Sequence, residues 1–347
     1  MEKKIDFIAI CVTKWHLNNL VAIINEKKLS KGNLFVLPQG NFTNSTRYRL
    51  SKSDIEPYDH LFQKVEFSKL DFSIYLFIKN IIFNLFNKKR IFIISPGSIN
   101  INILGKIIFL YKPKFLVIDE GTASYLSLSE HFKVYSKTSK NISFFLVIKT
   151  FIKSQFYKNI NLITPVSYNY LFTSSNNCFK TNKIISRNLK KVYLEKNNTF
   201  KYFKSDKKKI LLLLDFYETF GNNLFFEEIF ISIINKLKLK YDIYVKPHPN
   251  SNQKFLENSK GVIILNNKLD AETITAFLNP VVIIGGISTS SFSIPAIFGI
   301  RCVSLLGIYL SSPVLDKDYQ NRFIFFNENF VENIETPKTI TDLINLL

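Results

Sequence analysis

Apolar residues in this chain gather in short continuous runs, separated by polar turns and by longer mixed segments. In the first half, IDFIAICV (5–12), NLFVLPQ (33–39), RIFIIS (90–95) and KFLVID (114–119) predict strands, with further strands expected near 160–190. KKKILLLLD (207–215) begins the pattern afresh, and YDIYVKP (241–247), GVIIL (261–265), VVIIGG (281–286) and RCVSLLG (301–307) continue it. Runs that are apolar at every position, rather than at alternate ones, predict parallel strands covered on both faces. Helix candidates lie between them, notably LFFEEIFISIINKLKLK (224–240) and SIPAIFG (293–299). The stretch LEKNNTFKYFKSDKKK (194–209) is polar, has no periodic apolar face, and reads as a linker. The expected architecture is therefore α/β, with two Rossmann-like domains spanning 1–195 and 210–347. Residues 196–209 join them, and their parallel sheets are expected to face across a central cleft. Open parallel sheets take ligands at the carboxyl ends of their strands, so the chemistry is sought just after each run.

Composition narrows the class. With 347 residues, 46% hydrophobic and 15% aromatic, the chain has material for two packed cores and is not a disordered protein. Its 46 basic and 27 acidic residues leave a net charge of +19. That excess favours anionic partners, among them anionic lipid and nucleotide-sugar donors, although a solvated Lys-rich surface gives the same count. The lysines are scattered, with short clusters at 88–90 and 207–209, and no zinc-finger or RNP-type spacing is present; nucleic acid is not an expected partner. Cys11, Cys178 and Cys302 lie far apart without C-x-x-C spacing, so neither a disulfide framework nor a metal site is expected. Cys11 and Cys302 read as small buried hydrophobes, which fits a cytoplasmic setting. Asp6 interrupts the first apolar run and no small-x-small site follows, so MEKKIDFIAICV reads as a first strand rather than a signal peptide. No run of 18 uncharged apolar residues exists. The stretches around 73–90 and at 144–158 mix Phe and Ile with Lys as interfacial helices do; core-facing helices with basic outer faces are the simpler reading.

Three motifs carry the chemistry, each directly after a predicted strand. VIDEGTASY (117–125) places Asp119 and Glu120 before Gly121, where the backbone can turn sharply. A carboxylate there can take a proton from an alcohol; it can equally begin a helix as an acidic cap. In YVKPHPN (244–250), Pro247 and Pro249 hold His248 in extended backbone and aim it past the strand tip, beside Lys246. A protonated imidazole there offsets charge developing on a leaving phosphate. In IIGGISTSSFS (283–293), Gly285 and Gly286 precede Ser288, Thr289, Ser290 and Ser291 and then an apolar helix, an arrangement suited to an anion. The bland alternative is N-capping by one hydroxyl. Neither GxGxxG nor a Walker lysine is present. Asp215, Tyr217 and Glu218 follow LLLL and either contact a substrate or merely open a loop. The ordered set suits transfer of a group from an activated phosphate donor to an alcohol.

On these motifs the chain resembles the bacterial sialyltransferases of GT-B fold, above all the capsule polysialyltransferase and lipooligosaccharide sialyltransferase groups. Those families carry an acidic-acidic-Gly motif, a His-Pro motif and a later Ser-Ser/Thr motif, matched here by Asp119-Glu120-Gly121, His248-Pro249 and Ser288–Ser291. The resemblance implies inverting transfer of sialic acid from CMP-sialic acid to a surface glycan, without a metal or cofactor. It makes Glu120 or Asp119 the base and His248 the group that assists departure of CMP. Donor binding falls to Lys246, Pro249, Gly285, Gly286, Ser288, Thr289, Ser290 and Ser291. Location on the inner face of the cytoplasmic membrane follows as an expectation. Teichoic-acid glycerophosphotransferases share the architecture, the His-Pro motif and a Ser-rich motif, but theirs places acids around the serines and GGISTSSFSIPA has none. A basic scaffold that binds membranes or polyanions is the non-enzymatic rival; it explains the charge and leaves the three motifs unexplained.

Overall fold

The computed structural model describes residues 5–38, 49–67, 92–96, 114–118, 167–168, 172–175, 178–181, 183–195, 207–215, 223–248, 254–257, 259, 261–265, 269–286, 288–311 and 334–347. The chain divides into two compact units, Met1–Tyr170 and Leu171–Leu347.

The first unit is built on a parallel sheet of β1 (Phe7–Cys11), β2 (Gly32–Val36), β3 (Phe62–Phe67), β4 (Phe92–Pro96), β5 (Lys114–Ile118) and β6 (Ser167–Tyr168). Its order is β3-β2-β1-β4-β5-β6, the doubly wound arrangement in which strand order reverses beside the first strand. Every residue of β1 and β2 is buried, which is why FIAIC and LFV read as unbroken apolar runs. Gly32 stands opposite Phe7 in the β1–β2 register, and a Cβ there would collide with the Phe7 ring and carbonyl. The space left by that hydrogen lets Phe7 sit fully buried, edge-on to Phe62 with ring centroids 6.2 Å apart. Burying such a ring stabilises the fold by about 2–3 kcal/mol. Thr13 caps the helix Lys14–Lys27 by accepting from the His16 amide, and Lys28 ends it in the left-handed region. Asp6, the polar interruption in the first run, accepts from the Ser30 amide and hydroxyl at 2.8 and 2.6 Å and pins the return into β2.

In the second unit the same order recurs. β9 (Lys209–Leu213), β10 (Asp242–Lys246), β11 (Val262–Ile264), β12 (Val282–Gly285), β13 (Arg301–Ser304) and β14 (Ile334–Glu335) form a parallel sheet ordered β11-β10-β9-β12-β13-β14. A short antiparallel pair, β7 (Phe172–Ser175) and β8 (Cys178–Thr181), precedes it. Leu211, Leu213, Tyr244, Ile274, Ile283 and Ile294 make up much of one core layer. Cys11 and Cys302 are buried free thiols, as their apolar settings predicted.

The expected strands stand where the apolar runs placed them. Residues near 160–190 differ in part: β6, β7 and β8 are short strands, whereas Lys183–Glu195 is a helix. That helix, assigned from sequence to the first domain, packs within the second unit. Ser186 Oγ donates to the Ala296 carbonyl, and Tyr193 meets Phe298 at 6.0 Å. Lys209, read as linker, opens β9. Asp119, Glu120, Gly121, Pro249, Tyr217, Glu218, the basic cluster at 88–90, both interfacial-type stretches and most of the linker lie outside the described residues. Among the described residues no helix is long and apolar enough to cross a membrane.

Candidate active site

Strands β9, β10 and β12 lie side by side, so their carboxyl ends bring Asp215, Lys246 to His248, and Gly285 to Ser291 to one edge of the sheet. This edge is the point where strand order reverses, with β10 on one side of β9 and β12 on the other.

After β10 the prolines that follow Lys246 and His248 push both residues to extended backbone and away from helix. Pro247 is buried and His248 is half-buried at the strand tip. Lys246 turns inward instead: it is 7% exposed and its Nζ donates to the Pro247 carbonyl at 2.8 Å. Burial pulls its pKa down, against the opposing pull of Glu272 and Asp270. Glu272 opens the helix Ala271–Leu278 and is itself buried. Burial pushes its carboxyl up, reinforced by Asp270, while bonds from Ser293 and Ser290 hold it down. Ser293 thus bonds a buried carboxyl whose charge also bears on Lys246.

The hydroxyl motif does not serve as a simple cap. The helix Ser290–Phe298 follows Thr289, whose backbone is already helical and whose side chain makes no capping bond. The Ser288 amide donates to Asp215 Oδ1 at 3.0 Å. Ser291 and Phe292 amides return to the carbonyls of Ser288 and Thr289. Among the described residues, the Thr289 and Ser290 amides have no acceptor. Ser291 is fully buried, its Oγ unpaired and lodged against Gly285; Ser288, Thr289 and Ser290 are half-buried. Two adjacent unsatisfied amides on a helix start make an anion cradle.

Asp215 carried little weight from sequence, yet it is 2% exposed and joins three segments. Tyr309, in the helix Leu306–Leu310, donates its hydroxyl to Asp215 Oδ2 at 3.2 Å. Burial and the Asp215 carboxylate hold that phenol well above its usual pKa, so it stays a donor. Sequence reasoning missed Tyr309, Glu272 and Asp270. The acidic pair in LDAETIT was the available signal for the last two, but it reads like an ordinary helix start; Asp270 makes no capping bond.

With this geometry in hand, likeness to known proteins sets the class. A Listeria monocytogenes protein described as a UDP-N-acetylglucosamine 2-epimerase aligns over 99% of this chain and 87% of its own, at 11% identity and a TM-score of 0.54. The S. aureus MnaA–UDP structure aligns over 94% and 89%, at 12% identity and a TM-score of 0.50. Identities this low speak for the fold alone, and that fold is GT-B, two Rossmann-like units with parallel sheets. No curated protein sequence matches the chain. The family described as alpha-2,8-polysialyltransferase (POLYST) matches residues 7–307, and the chain belongs to it. It is a glycosyltransferase of GT-B fold.

Proposed function

We propose that the chain transfers sialic acid from CMP-sialic acid to a hydroxyl of a bacterial surface glycan, with inversion and without a metal or cofactor. The observation that carries this reading is the shared strand edge: His248 lies two residues past β10, and the Thr289 and Ser290 amides, without an acceptor among the described residues, follow β12, with β9 between the two strands. Two strand spacings put these groups about 10 Å apart, and one phosphate bound between them can be reached by both. The amides of Thr289 and Ser290 bind the phosphate of CMP, and the helix start favours its charge. His248, half-exposed on a proline-fixed strand tip, donates a proton or its positive charge to the departing phosphate. Glu120 or Asp119 takes the proton of the acceptor hydroxyl, whose oxygen attacks the anomeric carbon as the bond to CMP breaks. Lys246, buried and donating its Nζ to the Pro247 carbonyl, supports the His248 segment. The net charge of +19 draws the anionic donor and holds the enzyme peripherally on the inner face of the cytoplasmic membrane.

The test is transfer to an oligosialic acid acceptor with EDTA present, the product's anomeric configuration being followed by proton NMR. Wild-type protein is expected to form product of inverted configuration. Glu120→Gln is expected to lose turnover by about a hundredfold or more while CMP affinity stays within about twofold. Retained configuration, or a Glu120→Gln rate near wild type, removes the corresponding part of the proposal.

A further inference from the structure

Asp215 poses an electrostatic question. Its carboxylate sits at the strand-order reversal beneath a turn that suits an anion, and a charge of that sign repels phosphate. The geometry resolves the conflict by turning the carboxylate inward. Oδ1 accepts from the Ser288 amide at 3.0 Å, Oδ2 accepts from the Tyr309 hydroxyl at 3.2 Å, and the residue is 2% exposed. The surroundings leave little freedom for another arrangement. A Cβ on Gly286 would overlap the Asp215 carboxylate and press on the Tyr309 ring, so only glycine permits this approach. Tyr309 is fully buried and fixed edge-on by Phe226, centroids 4.9 Å apart. Asp215 follows β9, Ser288 follows β12 and Tyr309 follows β13, so one carboxylate ties together three strand ends.

We infer that Asp215 is a positioning residue for donor binding, latched by Tyr309 and admitted by Gly286. By taking the Ser288 amide it fixes the turn so that Thr289 and Ser290 amides, and not that of Ser288, meet the donor's phosphate. This inference rests on the donor reading above for its kinetic consequence and on the turn's geometry alone for its structural one. A residue that merely held the fold would lower the folded fraction, which reduces the apparent kcat and leaves the donor KM where it was. A residue that sets the cradle raises the donor KM.

Two measurements on Asp215→Ala, Asp215→Asn and Tyr309→Phe separate these cases: the KM for CMP-sialic acid, and amide hydrogen exchange across 286–298 in the ligand-free protein. Asp215→Ala is expected to raise the donor KM about tenfold to a hundredfold, the range for losing hydrogen bonds to a charged group. Asp215→Asn keeps an oxygen for the Ser288 amide and is expected to stay within about fivefold of wild type. Exchange at 288–291 is expected to accelerate in Asp215→Ala and to return towards wild type in Asp215→Asn. If Asp215→Ala does not fold, Tyr309→Phe, which removes one bond to the carboxylate, carries the test with a smaller rise in both readouts. An unchanged donor KM with only a lowered melting temperature or kcat overturns the inference, as does unchanged exchange at 288–291. If wild-type protein does not turn over CMP-sialic acid, the donor reading fails, and hydrogen exchange alone decides the role of Asp215.

Discussion

The two sheets share one strand order and differ in what stands after the first strand of each. After β1 comes His16, 6% exposed, whose Nδ1 accepts from the Val12 amide at 3.3 Å. Burial lowers its pKa to about 3, so it is a neutral imidazole at ordinary pH. After β9 comes Asp215, a buried carboxylate with hydrogen bonds from two other strand ends. Identical topology therefore supports a neutral buried imidazole after the first strand of one unit and a hydrogen-bonded buried carboxylate after the first strand of the other. Topology fixes where a site can be, and the residues after the strands fix what it can do.

The comparison breaks most visibly in acid. His16 is neutral when folded, with a pKa of about 3, and has an ordinary value of 6.5 when unfolded. The unfolded chain thus binds the extra proton between those values, so stability is full above pH 6.5 and falls as pH drops through this window. Linkage puts the loss at about 2 kcal/mol between pH 7 and pH 5. Urea unfolding at the two pH values should show a smaller fall in His16→Gln than in wild type. An equal fall in both would mean that His16 is not the neutral group described.

A smaller effect sharpens the contrast between the two helix starts. Thr13 accepts from the His16 amide, whereas Thr289 makes no capping bond. Thr13→Ala should therefore cost about 1 kcal/mol in thermal unfolding, and Thr289→Ala less than about 0.5 kcal/mol. Equal costs would return the hydroxyl motif to plain capping.

Much of the fold was legible because parallel strands buried on both faces read as continuous apolar runs, as FIAIC and KILLL do. β3 was not legible: FQKVEF is an edge strand with exposed Gln63 and Lys64, and no unbroken run marks it. The helix Lys183–Glu195 was hidden for another reason. Its buried face of Ile185, Leu189, Val192 and Tyr193 is spaced helically within a strongly basic stretch, which was read as strand and then linker. At the site, the histidine and the hydroxyl motif were visible because Pro and Gly mark special backbone. The Asp215–Tyr309 bond joins residues 94 apart, and nothing local in either segment announces the other.

The central claim is that the chain's second unit binds a CMP-linked sugar and that His248 helps to release the nucleotide. It is tested most directly by CMP release from CMP-sialic acid, with EDTA present, by wild-type protein and His248→Ala. The account predicts release by wild type and a loss of about a hundredfold or more in the variant, the scale of a positioned acid. No release and no binding of CMP-sialic acid by wild type, or equal release by both proteins, would contradict it.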